Sequence, residues 1–130
     1  MAFPGGKHDA TDASLLHTAL RETQEEVSIP LSMVDVLGAL DDFVTVTGYV
    51  ITPFVGWLSG AVDPVPNPAE VARVFAAPLR RFLVTPDATV PPVPGAGYTV
   101  DGEFVWGATA ALARRLGAIV TALETSSPTE

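Results

Sequence analysis

Twelve prolines among 130 residues limit this chain more than any other feature. Proline lacks the N–H that helix interiors and central strands need. Pro30 ends the helical pattern before it and Pro53 interrupts a strand pattern. Pro64, Pro66 and Pro68 make residues 61–69 irregular, and a second Pro/Gly-rich loop covers roughly 85–97. Only short elements fit between these breaks. From Asp12 to Val27 the apolar residues Leu16, Leu20 and Val27 recur on one helical face with Thr23 between them, and Asp12 or Thr11 can cap the start. Met33–Leu40 and Val44–Leu58 read as strands about a turn at Asp41-Asp42, with a bulge, bend or edge position at Gly48 and Pro53. Val71–Phe75 is a strand candidate, and Pro78–Leu83 a short helix opened by its proline. Tyr98–Trp106 alternates as a strand, and Leu112, Leu116, Ile119, Val120 and Leu123 mark a C-terminal amphipathic helix. This order predicts one mixed α/β domain with an incomplete sheet over residues 1–124 and a disordered tail over 125–130.

Composition narrows the function classes. Apolar residues make up 48% of the chain and charged residues 17%, enough for a packed core. No run of about 18 uninterrupted apolar residues exists to cross a bilayer. Cysteine is absent, which removes thiolate chemistry and Cys-ligated zinc and fits a cytoplasmic protein, as does an N-terminus without a secretory pattern. Seven basic residues stand against fifteen acidic ones, a net charge of −8. Such a chain repels nucleic acid and anionic lipid, so neither is an expected partner. A phosphate-bearing ligand would need positive charge from elsewhere, and a divalent cation is the obvious source.

Arg21-Glu22-Thr23-Gln24-Glu25-Glu26 is the segment that carries chemistry. At 3.6 residues per turn, Glu22 and Glu26 lie about 40° apart and Glu25 about 60° to the other side. Three carboxylates on one helical face repel one another unless a cation neutralises them. Hard oxygen donors suit Mg²⁺ or Mn²⁺, and Arg21 stands four residues before Glu25, where it can orient it. Read alone, such a stretch is more often a solvated face with Arg21 paired to Glu25.

The flanking residues add to this. FPGGKHDATDASLLHTALRETQEEVSI, residues 3–29, resembles the Nudix box, with Asp12 at the position of the first box glutamate, one extra residue between Gly6 and Arg21, and Ser28 in place of the usual glycine. The first two departures are similar to the box of the coenzyme A diphosphatase branch. Later segments are also similar to that branch: Val46-Thr47-Gly48-Tyr49, Thr52-Pro53, Glu70-Val71, Val74-Phe75, Pro78-Leu79 and the run from Val105 to Ala110, so the resemblance covers most of residues 3–122.

The resemblance implies a Nudix-type α/β/α sandwich with a mixed sheet. It also implies metal-dependent hydrolysis of coenzyme A or acyl-coenzyme A to 3′,5′-ADP and (acyl-)4′-phosphopantetheine. The alternatives are hydrolysis of another nucleoside diphosphate derivative, such as ADP-ribose or a dinucleotide, and a non-catalytic metal- or nucleotide-binding remnant. Glu22, Glu25, Glu26 and the Gly6 carbonyl would hold Mg²⁺ or Mn²⁺. Arg21 would orient the cluster, and Glu25, another box carboxylate or Glu70 would take the proton from water. Gly5, Gly6 and Lys7 would meet the substrate. Tyr49, Phe104 and Trp106 either stack on adenine or pack in the core, Asp9 and Asp12 either serve the site or cap the helix, and His8 and His17 receive no role. Nudix domains normally place two or three strands before the box, whereas two residues precede Phe3. The expectation is therefore a sheet lacking its front strands, with open edges that favour a homodimer.

Overall fold

The computed structural model describes residues 2–84, 88–89 and 96–126. It is a mixed α/β structure of two helices and short antiparallel sheets, as the element order predicts. Two compact units form, one over Phe3–Val74 and the other over Phe75–Glu130 with Met1–Ala2.

In the Phe3–Val74 unit, helix α1 (Leu15–Val27) starts at Ser14, whose hydroxyl accepts the His17 N–H at 3.1 Å. The cap is thus Ser14 rather than Asp12 or Thr11, because the Asp12 carboxylate is engaged elsewhere. At the other end Ser28 takes the left-handed conformation (φ 59°, ψ 34°) and its N–H donates to the Gln24 carbonyl. Strands β1 (Val34–Ala39), β2 (Phe43–Val44), β3 (Val50–Ile51) and β4 (Phe54–Leu58) follow. They form one nested excursion. β1 pairs with β4 from Val34 opposite Leu58 to Ala39 opposite Phe54, with a bulge between Val36 and Gly38. The Leu40 N–H donates to the Pro53 carbonyl, the Thr52 hydroxyl to Asp42, and β2 pairs with β3 beyond them. The reversal expected at Asp41-Asp42 lies instead at residues 45–49, where Gly48 adopts φ 88° and the Thr45 N–H meets the Tyr49 carbonyl. Val44–Leu58 is consequently three short strands, split at that turn and at Pro53. Val71–Phe75 forms no strand, because no ladder partner lies beside it among the described residues.

In the Phe75–Glu130 unit, Pro78 precedes a single 3-10 turn, Leu79–Phe82. Strands β5 (Ala88–Thr89), β6 (Ala96–Val100) and β7 (Glu103–Val105) form an antiparallel sheet in that order. The single strand expected over Tyr98–Trp106 is a hairpin. Asp101 (φ 51°) and Gly102 (φ 79°) make its two-residue turn, a geometry that Asp-Gly favours. Helix α2 (Gly107–Ser126) runs two residues past Glu124, and 127–130 lie outside the described residues, as does most of the loop at 85–97. Its buried residues are Ala110, Leu112, Ala113 and Gly117, while Ile119 and Leu123 are exposed, so the face turned inward is smaller-sided than the expected leucine stripe. Phe82, Tyr98, Val100, Val105, Ala110 and Ala113 form the core of this unit. Phe82 and Tyr98 meet edge to face at 5.1 Å.

Candidate active site

The acidic residues and the Gly5-Gly6-Lys7 loop singled out in the sequence fall within the Phe3–Val74 unit, around α1. Glu22 and Glu26, one turn apart, are joined by Glu70. One carboxylate oxygen from each lies within 4.8 Å of the others. Glu70 arrives from a turn built on Asn67. The Asn67 side chain accepts the Ala69 N–H, and its carbonyl accepts the N–H groups of Glu70 and Val71. This segment is zipped onto the end of α1. The Val65 N–H donates to the Val27 carbonyl and the Asn67 N–H to the Glu26 carbonyl, satisfying two acceptors that a helix terminus leaves over.

The Gly5-Gly6 loop closes on the same carboxylates. A Cβ at Gly6 would stand 2.6 Å from Glu22 Oε1, so any side chain there would push the Glu22 carboxylate from its place. The Gly5 backbone N–H favours the charged form of Glu26. Burial pushes the Glu26 carboxyl above its ordinary pKa, and the charges of Glu22 and Glu70 push it the same way. A group of carboxylates crowded to this degree, two of them half-buried, suits a small divalent cation held by oxygen donors.

Glu25 does not join this group. Its side chain is 50% exposed and accepts from Arg21 Nη1 at 3.1 Å, so the three-carboxylate face expected from helical spacing becomes Glu22, Glu26 and Glu70 in space. Arg21 is held from behind by Asp12, whose side chain has no exposed surface. Arg21 Nε and Nη2 donate to the two Asp12 oxygens at 2.8 and 3.0 Å, and Nη1 reaches Glu22 at 3.3 Å as well as Glu25. Asp12 also accepts from the Asp9 N–H and the Thr18 hydroxyl, and pairs with His17 Nδ1 at 3.1 Å. The Arg21 hydrogen bonds hold the Asp12 carboxyl far below the usual carboxylate range, and the Asp9 and Thr18 donors lower it further. His8 Nε2 lies 3.1 Å from the Asp12 carbonyl. Two histidines without an expected role therefore both turn to Asp12.

Lys7 extends from this loop to lie over the Tyr49 ring, 5.4 Å from its centre. Trp106 is 41% exposed, and Phe104 is half-buried beside Gly97 in the other unit. Sequence reasoning missed Asn67 and underrated Asp12. The signal for Asp12 was its place at an acidic position of the box; for Asn67 it was an Asx residue set between two prolines.

The NUDIX domain profile matches residues 1–94, which hold every residue of this acidic group. A protein described as an uncharacterized Nudix hydrolase NudL from Yersinia enterocolitica is 40% identical over 123 residues, covering 89% of this chain and 63% of that protein. The protein of the same description from Photorhabdus laumondii is 39% identical over 123 residues, covering 89% and 66%. The chain thus spans slightly under two thirds of the length of these curated relatives. With a domain match over most of its length and the box residues gathered at one helix, the chain belongs to the NUDIX domain family.

Proposed function

We propose that this chain is a metal-dependent hydrolase of the diphosphate linkage in coenzyme A or acyl-coenzyme A, releasing 3′,5′-ADP and (acyl-)4′-phosphopantetheine. The observation that carries the reading is the convergence of Glu22, Glu26 and Glu70 against the Gly5-Gly6 loop. Glu22, Glu26 and the Gly6 carbonyl would hold Mg²⁺ or Mn²⁺, with Glu25, paired to Arg21, as a further ligand from the same helix. Such a cation would neutralise the diphosphate and lower the pKa of the attacking water. Water oxygen forms the new bond to phosphorus as the bridging P–O bond breaks, and the water proton passes to a carboxylate. Glu70 is the candidate base, as the one acid of the group that lies outside the helix; Glu25 is the other. Arg21, fixed by Asp12, orients Glu22 and Glu25. Gly5, Gly6 and Lys7 meet the substrate, backbone first, where a side chain would block approach.

The preference for coenzyme A rests on the box similarity, including Asp12 at the acidic position, where the structure gives it a full set of donors. Among the described residues no helix is long and apolar enough to cross a membrane, and a cytoplasmic setting goes with this reading. So does pairing with a second copy, supported by the exposure of Val36, Leu37 and Trp57 on β1 and β4.

The test is product analysis after incubation with Mg²⁺ and coenzyme A, ADP-ribose, NADH or 8-oxo-dGTP. The expected result is 3′,5′-ADP from coenzyme A at the highest kcat/KM, abolished by chelator. Higher kcat/KM on ADP-ribose would leave a hydrolase of another nucleoside diphosphate derivative. No release from any of the four would leave a binding remnant.

A further inference from the structure

Aromatic side chains on strands usually turn into a core, yet Tyr49 exposes 60% of its surface at the tip of the β2–β3 hairpin. The tip is a fixed frame. The Thr45 N–H donates to the Tyr49 carbonyl at 2.8 Å, the Tyr49 N–H returns to the Thr45 hydroxyl at 3.1 Å, and the Gly48 N–H closes the turn on the Thr45 carbonyl. The ring is therefore presented outward by a preorganised turn. Two consecutive residues tie it to the acidic group: Gly6 abuts Glu22, and the Lys7 ammonium lies over the Tyr49 ring. An exposed cation–π contact is weak, and it leaves the ammonium hydrogens available to an oxyanion. A cation and an open aromatic surface beside a cluster suited to a divalent ion offer two complementary contacts, one to a phosphate and one to a flat heteroaromatic ring.

The geometry points to Tyr49 as a specificity-determining residue that stacks on the base of a nucleotide whose phosphate Lys7 holds. This rests on the diphosphate-hydrolase reading above and adds the contact that selects a nucleoside end. Stacking on an aromatic side chain tolerates any base, so Tyr49 selects for the presence of a base rather than its identity.

Binding to the intact chain tests this by isothermal titration with 3′,5′-ADP, adenosine and ribose 5-phosphate as probes. Tyr49→Ala is expected to weaken 3′,5′-ADP about tenfold, while Tyr49→Phe keeps wild-type affinity. Ribose 5-phosphate, without a base, is indifferent to Tyr49→Ala. Lys7→Ala weakens 3′,5′-ADP and leaves adenosine unaffected. With coenzyme A as substrate, Tyr49→Ala raises KM by a similar factor and changes kcat much less. Tyr49→Leu, which keeps an apolar side chain at the tip, is expected to behave like Tyr49→Ala and guards against a folding defect. Equal affinity of wild type and Tyr49→Ala for 3′,5′-ADP, or equal loss for ribose 5-phosphate, overturns the assignment, as does failure of the wild type to bind 3′,5′-ADP. A wild type that binds 3′,5′-ADP through Tyr49 but hydrolyses no diphosphate would overturn the activity and leave the contact standing.

Discussion

The two units of this chain are held together by different physics. In the Phe75–Glu130 unit, six buried residues centred on Phe82 and Tyr98 make an apolar core. In the Phe3–Val74 unit, Val27 and Ile29 are the buried apolar residues among those described, and they share the interior with Asp12 and Thr18. Val36, Leu37, Val44, Val46, Val50 and Trp57 of the same unit are exposed. One unit depends on removing carbon from water, the other on charge-assisted hydrogen bonds around a buried carboxylate. The candidate chemistry belongs wholly to the second kind. Its stability should respond to pH and cations, where that of the apolar core should not.

The largest expected effect separates activity from stability. Glu26→Gln keeps the shape of the acidic group and removes one charge, so kcat on the diphosphate substrate should fall on the order of 100-fold or more. Thermal stability should hold or rise, because repulsion from Glu22 and Glu70 is relieved. Turnover at saturating Mg²⁺ beside a melting scan reads both. Equal turnover in the two proteins removes Glu26 from the mechanism.

The next effect belongs to the apolar unit. Tyr98 is fully buried, and its hydroxyl donates to the carbonyls of Phe82 and Val84. Tyr98→Ala should cost about 3–5 kcal/mol. Urea unfolding at pH 5 and pH 7 should give the same loss, since no titrating group is involved. A strongly pH-dependent loss would contradict the contrast drawn between the units.

Asp12 tests the polar unit directly. Its carboxyl is held low in the folded chain, chiefly by Arg21, so its stabilisation is present above the ordinary carboxylate pKa of about 3.9 and is lost as pH falls below it. Glu26, raised by burial, has the opposite sign: its contribution is present at low pH and lost as pH rises through its folded pKa. Asp12→Asn should lower Tm at pH 7 by on the order of 5 °C and flatten the acid limb of a Tm-against-pH profile. An unchanged acid limb would show that another carboxylate dominates it.

The smallest effect concerns Ser28. Glycine would relieve its left-handed backbone but lose the exposed hydrogen bond from the Ser28 hydroxyl to the Val65 carbonyl. These offset, so Ser28→Gly should change stability by no more than about 0.5 kcal/mol, whereas Ser28→Ala should destabilise by about 1 kcal/mol. Denaturant melts of the two variants make the comparison.

What the sequence displayed and what it hid follow the same division. Helix α1 and its acidic residues were legible because a 3.6-residue period, a capping segment and Pro30 all agree locally. Glu70 rather than Glu25 stands with Glu22 and Glu26 because membership of the group depends on where a loop more than forty residues further along the chain comes to rest and on which oxygen Arg21 takes. Helical spacing contains neither. The turn at 45–49 was obscured by an apolar run that continues through it. Asp101-Gly102 is a local turn signal, but the alternation of residues 98–106 continues smoothly across it. The inward face of α2 differs from the leucine stripe because close approach to neighbouring segments favours alanine and glycine over the larger leucines.

The alternation of proline in the 61–70 segment has a consequence for how insertions and deletions would be tolerated. Pro64, Pro66 and Pro68 carry no N–H, so between them only Val65 and Asn67 can donate, and those two meet the Val27 and Glu26 carbonyls. Sliding the segment by one residue along α1 would set a proline ring against each acceptor. The segment therefore engages in a single phase, much as a key with alternate cuts fits one position of a lock, and Glu70 is carried three residues beyond the last tooth. Length changes elsewhere between α1 and this segment can be absorbed in the hairpin loops; a change of one residue within 64–68 would disengage both bonds and carry Glu70 away from its partners.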